Sequence, residues 1–463
     1  MRLNPIAQRF SRMPDARLVA DEIQCMPEPE YVVLPMDYRQ RELYTMQVEI
    51  GQSVRKHQII ARNSIGVCLQ TPISGTVFDI KPVWSGRGTH VPALCITRGE
   101  GEPCTTDEIF EQYGVSRAEA TIDDQLKVMG IHPPWLPLAA SAVTEAHTPE
   151  AINKVVIIGY DEEPGISIQH NLLAQKTDKV LAGLELLRTI MPNAAQTLLT
   201  DKQTAGRLRT RLPDSVELMS VSPHYEERLL ATTIPRLMHV DFDPRRDYAQ
   251  QGVVAISIER LLVLMAAIKD SRPFTTKHLT VSSKKPARQR TIRIQHGTSI
   301  RSVLEFAGFV DYPAEAIIVG GPLKGVAQFN DLTPLTRSCD GVHLIAADDI
   351  TSNPGESCTN CGACTRICPV NLQVHLIGRY AEFGDYTTAR EYHPELCLEC
   401  GLCAYVCPAQ RPLVQLVKLS NQYGKQKNEH KPQTECSIES PLEEWNKHCS
   451  SAAAVADRPA AHR

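Results

Sequence analysis

Two short runs near the C-terminal end hold eight of the 15 cysteines in this 463-residue chain. The runs are Cys358-x2-Cys361-x2-Cys364-x3-Cys368 and Cys397-x2-Cys400-x2-Cys403-x3-Cys407, and a proline follows each of them. In a reducing compartment, cysteines crowded in this way bind metal or carry redox chemistry rather than form disulfides. The other cysteines show no ligand spacing, and we interpret them as packing thiols.

The spacing within each run is the one that bacterial ferredoxins use to hold two [4Fe–4S] clusters. Three cysteines of a run bind one cluster, while the fourth faces away and binds the other cluster. We therefore predict two clusters. The first is held by Cys358, Cys361, Cys364 and Cys407. The second is held by Cys397, Cys400, Cys403 and Cys368. Two zinc sites are the alternative, but zinc motifs usually use two pairs of ligands rather than two four-cysteine runs. Because every iron would have a thiolate ligand, we expect an electron relay rather than a catalytic cluster.

Charge and hydropathy exclude several other classes of protein. The net charge of −4 gives no support for a nucleic-acid partner. No segment reaches the ~18 consecutive apolar residues of a membrane span. The basic N-terminus has no apolar core behind it, so we predict no signal peptide. We expect a protein on the cytoplasmic side that is bound to a membrane only through a partner.

Patterns along the chain predict several domains of mixed α/β and α+β class. Short strands broken by turns begin near Tyr31, and a continuous apolar run over 154–158 is typical of a buried parallel strand. Strands alternating with helices follow, which indicates an α/β layer. The predicted organisation is an N-terminal arm (1–30), a β-barrel or sandwich domain (31–110), an α/β domain (120–285), an α+β module (288–350), the cysteine domain (351–420) and a polar, disordered tail (421–463).

Four features in this order resemble the C subunit of the Rnf-type ion-translocating oxidoreductase, over most of 30–420. They are the turn-and-strand segments 48–54 and 71–77, the acidic loop 159–165, the Gly-Gly-Pro turn at 320–325, and the two cysteine runs with the following 412–415. The resemblance implies a barrel-sandwich hybrid domain, a Rossmann-like flavin- and NADH-binding domain, a β-grasp module of SLBB type and a helical two-cluster ferredoxin-like domain. It also implies that Asp161, Glu162 and Glu163 lie in the flavin/NADH loop.

The chain departs from that family at two places. The family has a glycine-rich stretch that cradles flavin phosphate, whereas 129–137 of this chain contains one glycine and three prolines, which remove N–H donors. The family also has paired asparagines before a Glu-Thr-Leu run, where this chain has Ile256 and Ser257 before Glu259. We therefore predict that the FMN/NADH site is vestigial, and that bound FMN and NADH are doubtful.

The leading hypothesis is an iron–sulfur electron-transfer subunit of a membrane-associated Rnf-like complex, in which partners couple the electron flow to ion translocation. Those partners would be integral-membrane and other subunits and a soluble redox donor or acceptor, with the chain peripheral to the inner membrane. One alternative is a complete NADH:acceptor dehydrogenase subunit with bound FMN. Another is a non-catalytic assembly module braced by its clusters.

Overall fold

A computed structural model describes residues 22–38, 42–84, 90–137, 147–238, 246–284, 287–312, 314–347, 350 and 356–426. Within them, the N-terminal part is a β-sandwich, a parallel sheet and a mixed sheet follow, and the C-terminal part is helical. No helix in these ranges is both long and apolar enough to cross a membrane.

The N-terminal domain consists of two small antiparallel sheets and a short strand pair around one core. Its strands are β2 (Tyr31–Pro35), β3 (Asp37–Tyr38), β4 (Glu42–Leu43), β5 (Thr45–Met46), β6 (Ser53–Val54), β7 (Ile59–Arg62), β8 (Cys68–Gln70), β9 (Gly75–Trp84) and β10 (His90–Arg98). One sheet has the order β2-β10-β9-β6 and the other β5-β7-β8. Alternate apolar residues such as Leu34, Ile60 and Leu94 meet between the sheets, so the sandwich buries one face of each.

Two short helices, α1 (Thr106–Tyr113) and α2 (Ile122–Val128), connect the sandwich to the central sheet. Each begins with a capping box, which pairs a threonine before the helix with the acidic third residue of the helix. The threonine hydroxyl accepts from the backbone N–H of the acidic residue, and the acidic side chain accepts from the backbone N–H of the threonine. The pairs are Thr105 with Glu108 and Thr121 with Asp124. The caps satisfy N–H groups that the helix itself leaves without partners.

Replacing Thr121 with alanine should lower the free energy of unfolding by about 1 kcal/mol, because the N-cap of α2 loses its side-chain acceptor. Urea unfolding followed by tryptophan fluorescence measures the change. Ser116→Ala, at an exposed serine in the preceding loop, should leave the urea midpoint unchanged. Equal midpoints for the two variants would contradict the capping role.

The central layer is a four-stranded, wholly parallel sheet in the order β13-β12-β11-β14. Its strands are β11 (Lys154–Ile158), β12 (Ala195–Thr200), β13 (Val216–Ser220) and β14 (Val253–Ser257). The helices are α3 (Ile168–Gln175), α4 (Thr177–Ile190), α5 (Lys202–Leu208), α6 (Tyr225–Arg228), α7 (Leu230–Met238) and α8 (Ile258–Asp270). Val155 and Ile157 pack into one apolar cluster and Val156 and Ile158 into another, so both faces are covered, as the apolar run predicts.

The mixed sheet has six strands in the order β1-β16-β15-β19-β17-β18. They are β1 (Gln24–Cys25), β15 (Thr276–Lys284), β16 (Ala287–Gln295), β17 (Ala314–Val319), β18 (Val326–Gln328) and β19 (Gly341–Ala346), with the helix α9 (Ile300–Ala307). Strands β15 and β16 pair as one antiparallel hairpin across the predicted boundary between 285 and 288. The predicted arm also contributes β1, which pairs with β16 in parallel.

The C-terminal part contains the helices α10 (Ala363–Ile367), α11 (Val374–Glu382), α12 (Tyr386–Arg390), α13 (Leu402–Tyr405) and α14 (Leu413–Gln426). Helix α11 packs closely on α14, since a Cβ at Gly378 would lie 3.1 Å from Leu413. Helix α14 extends six residues into the predicted disordered tail, which corrects its start, and 427–463 lies outside the described residues.

Candidate metal centre

The two cysteine runs have the same backbone path. The residue before the second cysteine has positive φ in both runs, at Asn360 (54°) and Glu399 (51°). The glycine after that cysteine is also left-handed, at Gly362 (71°) and Gly401 (80°), and a short helix begins at the next residue. Alternation between left-handed and helical backbone turns successive N–H groups toward one side, which suits an anionic group.

The cysteines predicted to hold the first cluster line one small cavity. Its lining includes Cys358, Cys361, Cys364 and Cys407. Cys407 comes from the second run, so the crossed arrangement expected from the spacing brings both runs to this cavity. In the described part of the chain, no three His, Cys, Asp or Glu side chains are gathered so that they could hold a metal ion.

The thiols on the outer side of this cavity are accessible. Cys358 and Cys361 are exposed, whereas Cys364 is buried. The backbone N–H of Ala363 lowers the pKa of the Cys361 thiol, while burial raises the pKa of Cys364. The first site therefore has one face at the protein surface.

The cysteines predicted for the second cluster lie deeper. Burial raises the pKa of Cys397 to about 11 and that of Cys403 to about 12, and Cys368 from the first run adds to both shifts through its charge. Two backbone N–H groups already point at these sulfurs: Glu399 donates to the Cys397 sulfur and Leu372 donates to the Cys368 sulfur, each at 3.4 Å. The Glu399 donor favours the thiolate form of Cys397 that iron requires.

The acidic loop after β11 is fully occupied by protein donors. The Asp161 carboxylate accepts from the backbone N–H groups of Gln169 and His170 at the start of α3, and burial raises its pKa to about 6. Glu162 accepts from the N–H of Leu230 at 2.7 Å and forms an ion pair with Lys324. Both carboxylates therefore stabilise contacts between segments of this chain.

Glu163, the third member of the loop, connects two distant segments. One of its oxygens accepts from the Tyr225 hydroxyl at 2.8 Å, and the other accepts from the N–H of Leu323 at 2.9 Å. The Tyr225 hydroxyl also lies 2.9 Å from the carbonyl of Cys400. No pattern in the local sequence around Tyr225 predicts this role, because the contact is with a residue 175 positions away.

The proline-containing stretch 129–137 fills the interior with its own side chains. Met129, Ile131 and Trp135 are at most 1% exposed, and the Trp135 indole N–H donates to Asp123 at 2.9 Å. His132 lies 3.0 Å from the carbonyl of Leu136 through its Nε2. A stretch packed in this way supplies no open cradle of N–H groups for a flavin phosphate.

The residues that stand where the family has paired asparagines also have structural roles. Ile256 is buried in β14, and the Ser257 hydroxyl accepts from the N–H of Arg260 as the N-cap of α8. Glu259 is buried in an ion pair with Lys277. The residues at both departures from the family pattern therefore have structural roles within this chain.

The chain thus combines a sandwich domain, a parallel sheet, a mixed sheet and two ferredoxin-type cysteine runs. The cysteine runs place it in the class of iron–sulfur redox proteins. Two family models match the chain: the RnfC Barrel sandwich hybrid domain over 16–100 and the 4Fe-4S dicluster domain over 357–410. The chain is therefore RnfC-like, and the predicted barrel-sandwich and dicluster domains are confirmed.

Relatives described as C subunits match most of the chain. The C subunit of an ion-translocating oxidoreductase complex from Pseudomonas aeruginosa is 26% identical over 77% of this chain and 47% of its own length. The C subunit of a proton-translocating ferredoxin:NAD(+) oxidoreductase complex from Clostridium ljungdahlii is 23% identical over 80% of this chain and 82% of its own length. The C subunit of a Na(+)-translocating ferredoxin:NAD(+) oxidoreductase complex from Acetobacterium woodii is 24% identical, over 77% and 82%. The match thus spans about half of the Pseudomonas protein and most of the other two, which confirms the predicted resemblance.

Among solved structures, a chain of an NAD+-reducing [NiFe]-hydrogenase in the H2-reduced state has a TM-score of 0.40 and 15% identity. The match covers 74% of this chain and 68% of that chain. A likeness at this level carries no argument about function.

Proposed function

We propose that this chain is an electron-transfer subunit of a membrane-associated Rnf-like oxidoreductase complex. The observation that carries the proposal is the cavity lined by cysteines of both runs, because ligands crossed between two runs are typical of a two-cluster ferredoxin domain. The first cluster would be held by Cys358, Cys361, Cys364 and Cys407. The second would be held by Cys397, Cys400, Cys403 and Cys368.

When bound, the two [4Fe–4S] clusters supply one-electron transfer. The chain's own residues give the two cluster sites different surroundings. Cys358 and Cys361 are exposed, so the first site is open to a redox partner at the surface. Cys400 and Leu402 are buried together with Tyr225 and Leu229, so the second site lies against the central layer and away from water.

For the two sheet layers we propose the assignments that the resemblance implies. The parallel order of β11, β12, β13 and β14 supports a Rossmann-like relative of the flavin- and NADH-binding domain. The mixed sheet with α9 supports a β-grasp module of SLBB type. In this proposal the central layer is a scaffold without FMN or NADH, since its acidic loop and the stretch 129–137 are occupied by the chain itself.

The names of the relatives, which describe subunits of ion-translocating complexes, support a proposal about partners. We propose that integral-membrane subunits and a soluble redox protein contact this chain on the cytoplasmic side of the membrane. Ion translocation would belong to the membrane subunits.

Anaerobic reconstitution of the full chain with iron and sulfide tests the proposal. We expect about eight irons per chain, no stoichiometric flavin and clusters that reduce with dithionite but not with NADH. Yellow flavin fluorescence together with NADH-dependent cluster reduction would instead support the complete NADH:acceptor dehydrogenase. Clusters that cannot be reduced at any accessible potential would support the non-catalytic assembly module.

A further inference from the structure

The hydroxyl of Tyr225 lies between the half-buried carboxylate of Glu163 and the loop that carries the second cysteine run. It contacts a Glu163 oxygen at 2.8 Å and the Cys400 carbonyl at 2.9 Å. A phenol has one proton, so the two acceptors share its donation. Tyr225 is 7% exposed, so both contacts are shielded from water.

The same carboxylate also holds the Gly-Gly-Pro turn. Its second oxygen accepts from the backbone N–H groups of Leu323 and Lys324 at 2.9 and 3.3 Å. A Cβ at Gly321 would lie 2.1 Å from this oxygen, so only glycine permits the approach. Glu163 therefore fixes the turn and the tyrosine in one arrangement.

The turn in its own right contacts the second cysteine run. A Cβ at Gly401 would lie 2.4 Å from the Leu323 carbonyl oxygen, so backbone meets backbone directly. Leu323, Leu398 and Tyr225 also share an apolar cluster with Cys400 and Leu402. The cysteine loop is thus held from two sides, by the turn and by Tyr225, and Glu163 joins them.

We propose that Tyr225 and Glu163 are positioning residues that set the reduction potential of the second cluster. The inference rests on the proposed function, and it gives the acidic loop a role in electron transfer without a nucleotide. Potential depends on net charge, hydrogen bonding and solvent exposure near the sulfurs. The half-buried Glu163 carboxylate disfavours the reduced, more negative cluster, whereas a hydroxyl donor to the Cys400 carbonyl neutralises part of the negative potential around the loop.

The two substitutions should therefore move the potential in opposite directions. Glu163→Gln removes the carboxylate charge and should raise the potential of the second cluster. Tyr225→Phe removes the donor while keeping the charge, and should lower that potential. Mere loosening of the loop would admit water in both variants and move both potentials the same way.

The experiment is a redox titration of the full reconstituted chain at one fixed pH, followed by electron paramagnetic resonance. The signal that disappears from a Cys403→Ala chain belongs to the second cluster. Tyr160→Phe is the matched control, because the hydroxyl of this buried tyrosine donates at 2.7 Å to the carbonyl of Arg228, the last residue of the same short helix. Glu217→Gln, at an exposed carboxylate on the edge strand β13, controls for a general loss of charge.

Opposite shifts confined to the second cluster, with both controls unchanged, support the inference. Shifts of the same sign, or shifts no larger than those of the controls, overturn it. If Glu163→Gln does not retain the second cluster, Tyr225→Phe decides alone, since it removes a single oxygen atom. A wild-type chain that assembles no clusters refutes the proposed function, whereas clusters indifferent to both substitutions refute only this inference.

Discussion

Replacing Cys368 with alanine is expected to abolish the second cluster, although this cysteine belongs to the first run. The reason is the crossed ligation, in which the fourth cysteine of each run faces the other cluster. Iron content should fall by about half, and the electron paramagnetic resonance signal that remains should equal that of a Cys397→Ala chain. By the same argument, Cys407→Ala should reproduce the spectrum of Cys358→Ala.

Cys95→Ala provides the matched control, because Cys95 is a fully buried thiol in the sandwich sheet. It should retain the iron of both clusters. If Cys368→Ala instead gave the spectrum of Cys358→Ala, the runs would bind separately and the predicted ligand sets would be wrong.

Replacing Lys277 with alanine is expected to lower the free energy of unfolding by about 3–5 kcal/mol, because it leaves buried acidic charge without its cation. The Lys277 ammonium lies 3.2 Å from a Glu259 oxygen and 2.7 Å from Asp340, and Lys277 and Glu259 are almost completely buried. The other Glu259 oxygen accepts from the backbone N–H of His278 at 2.6 Å. This network joins the first turn of α8 to β15, so its loss also weakens the contact between the parallel and mixed sheets.

Urea unfolding measures the effect, and Arg301→Ala is the control. The Arg301–Asp331 ion pair is 2.8 Å long but has an arginine side chain that is 54% exposed, so its loss should cost at most about 1 kcal/mol. A Lys277→Ala chain as stable as Arg301→Ala would show that the buried network contributes little.

The same network predicts a dependence of stability on pH. Burial by itself would raise the pKa of Glu259, but Lys277 and His278 outweigh it and lower that pKa to about 2, from 4.5. A carboxylate with a lowered pKa stabilises the folded state above its unfolded value and loses that contribution as the pH falls. Wild-type stability should therefore fall between pH 4.5 and about 2, and this part of the fall should be much smaller in Lys277→Ala.

Local sequence was sufficient for features whose cause is local. The spacing of Cys358, Cys361 and Cys364 predicts a cluster-binding run because consecutive ligands must wrap one small group. The apolar stretch Lys154–Ile158 predicts a strand covered on both faces, which β11 is. Both predictions depend on residues only a few positions apart.

Boundaries and contacts between distant segments could not be predicted in this way. Polar residues around 285 indicate a linker, yet β15 and β16 pair across it as a hairpin within a six-stranded sheet. The acidic loop resembles a nucleotide loop, yet the donors that occupy it come from positions 169, 230 and 323. A polar side chain takes whichever partner the fold brings to it, and periodicity contains no information about that partner.

The sequence by itself therefore predicted the chemistry of this protein: thiolate ligands, their number and the exchange of the fourth cysteine between two runs. The tertiary structure alone decided what surrounds that chemistry, including Tyr225 against Cys400 and Trp135 in the interior of the 129–137 stretch. The physical reason is distance along the chain. Ligand spacing is set by the covalent backbone within a few residues, whereas burial and hydrogen-bond partners are set by packing between segments far apart in sequence.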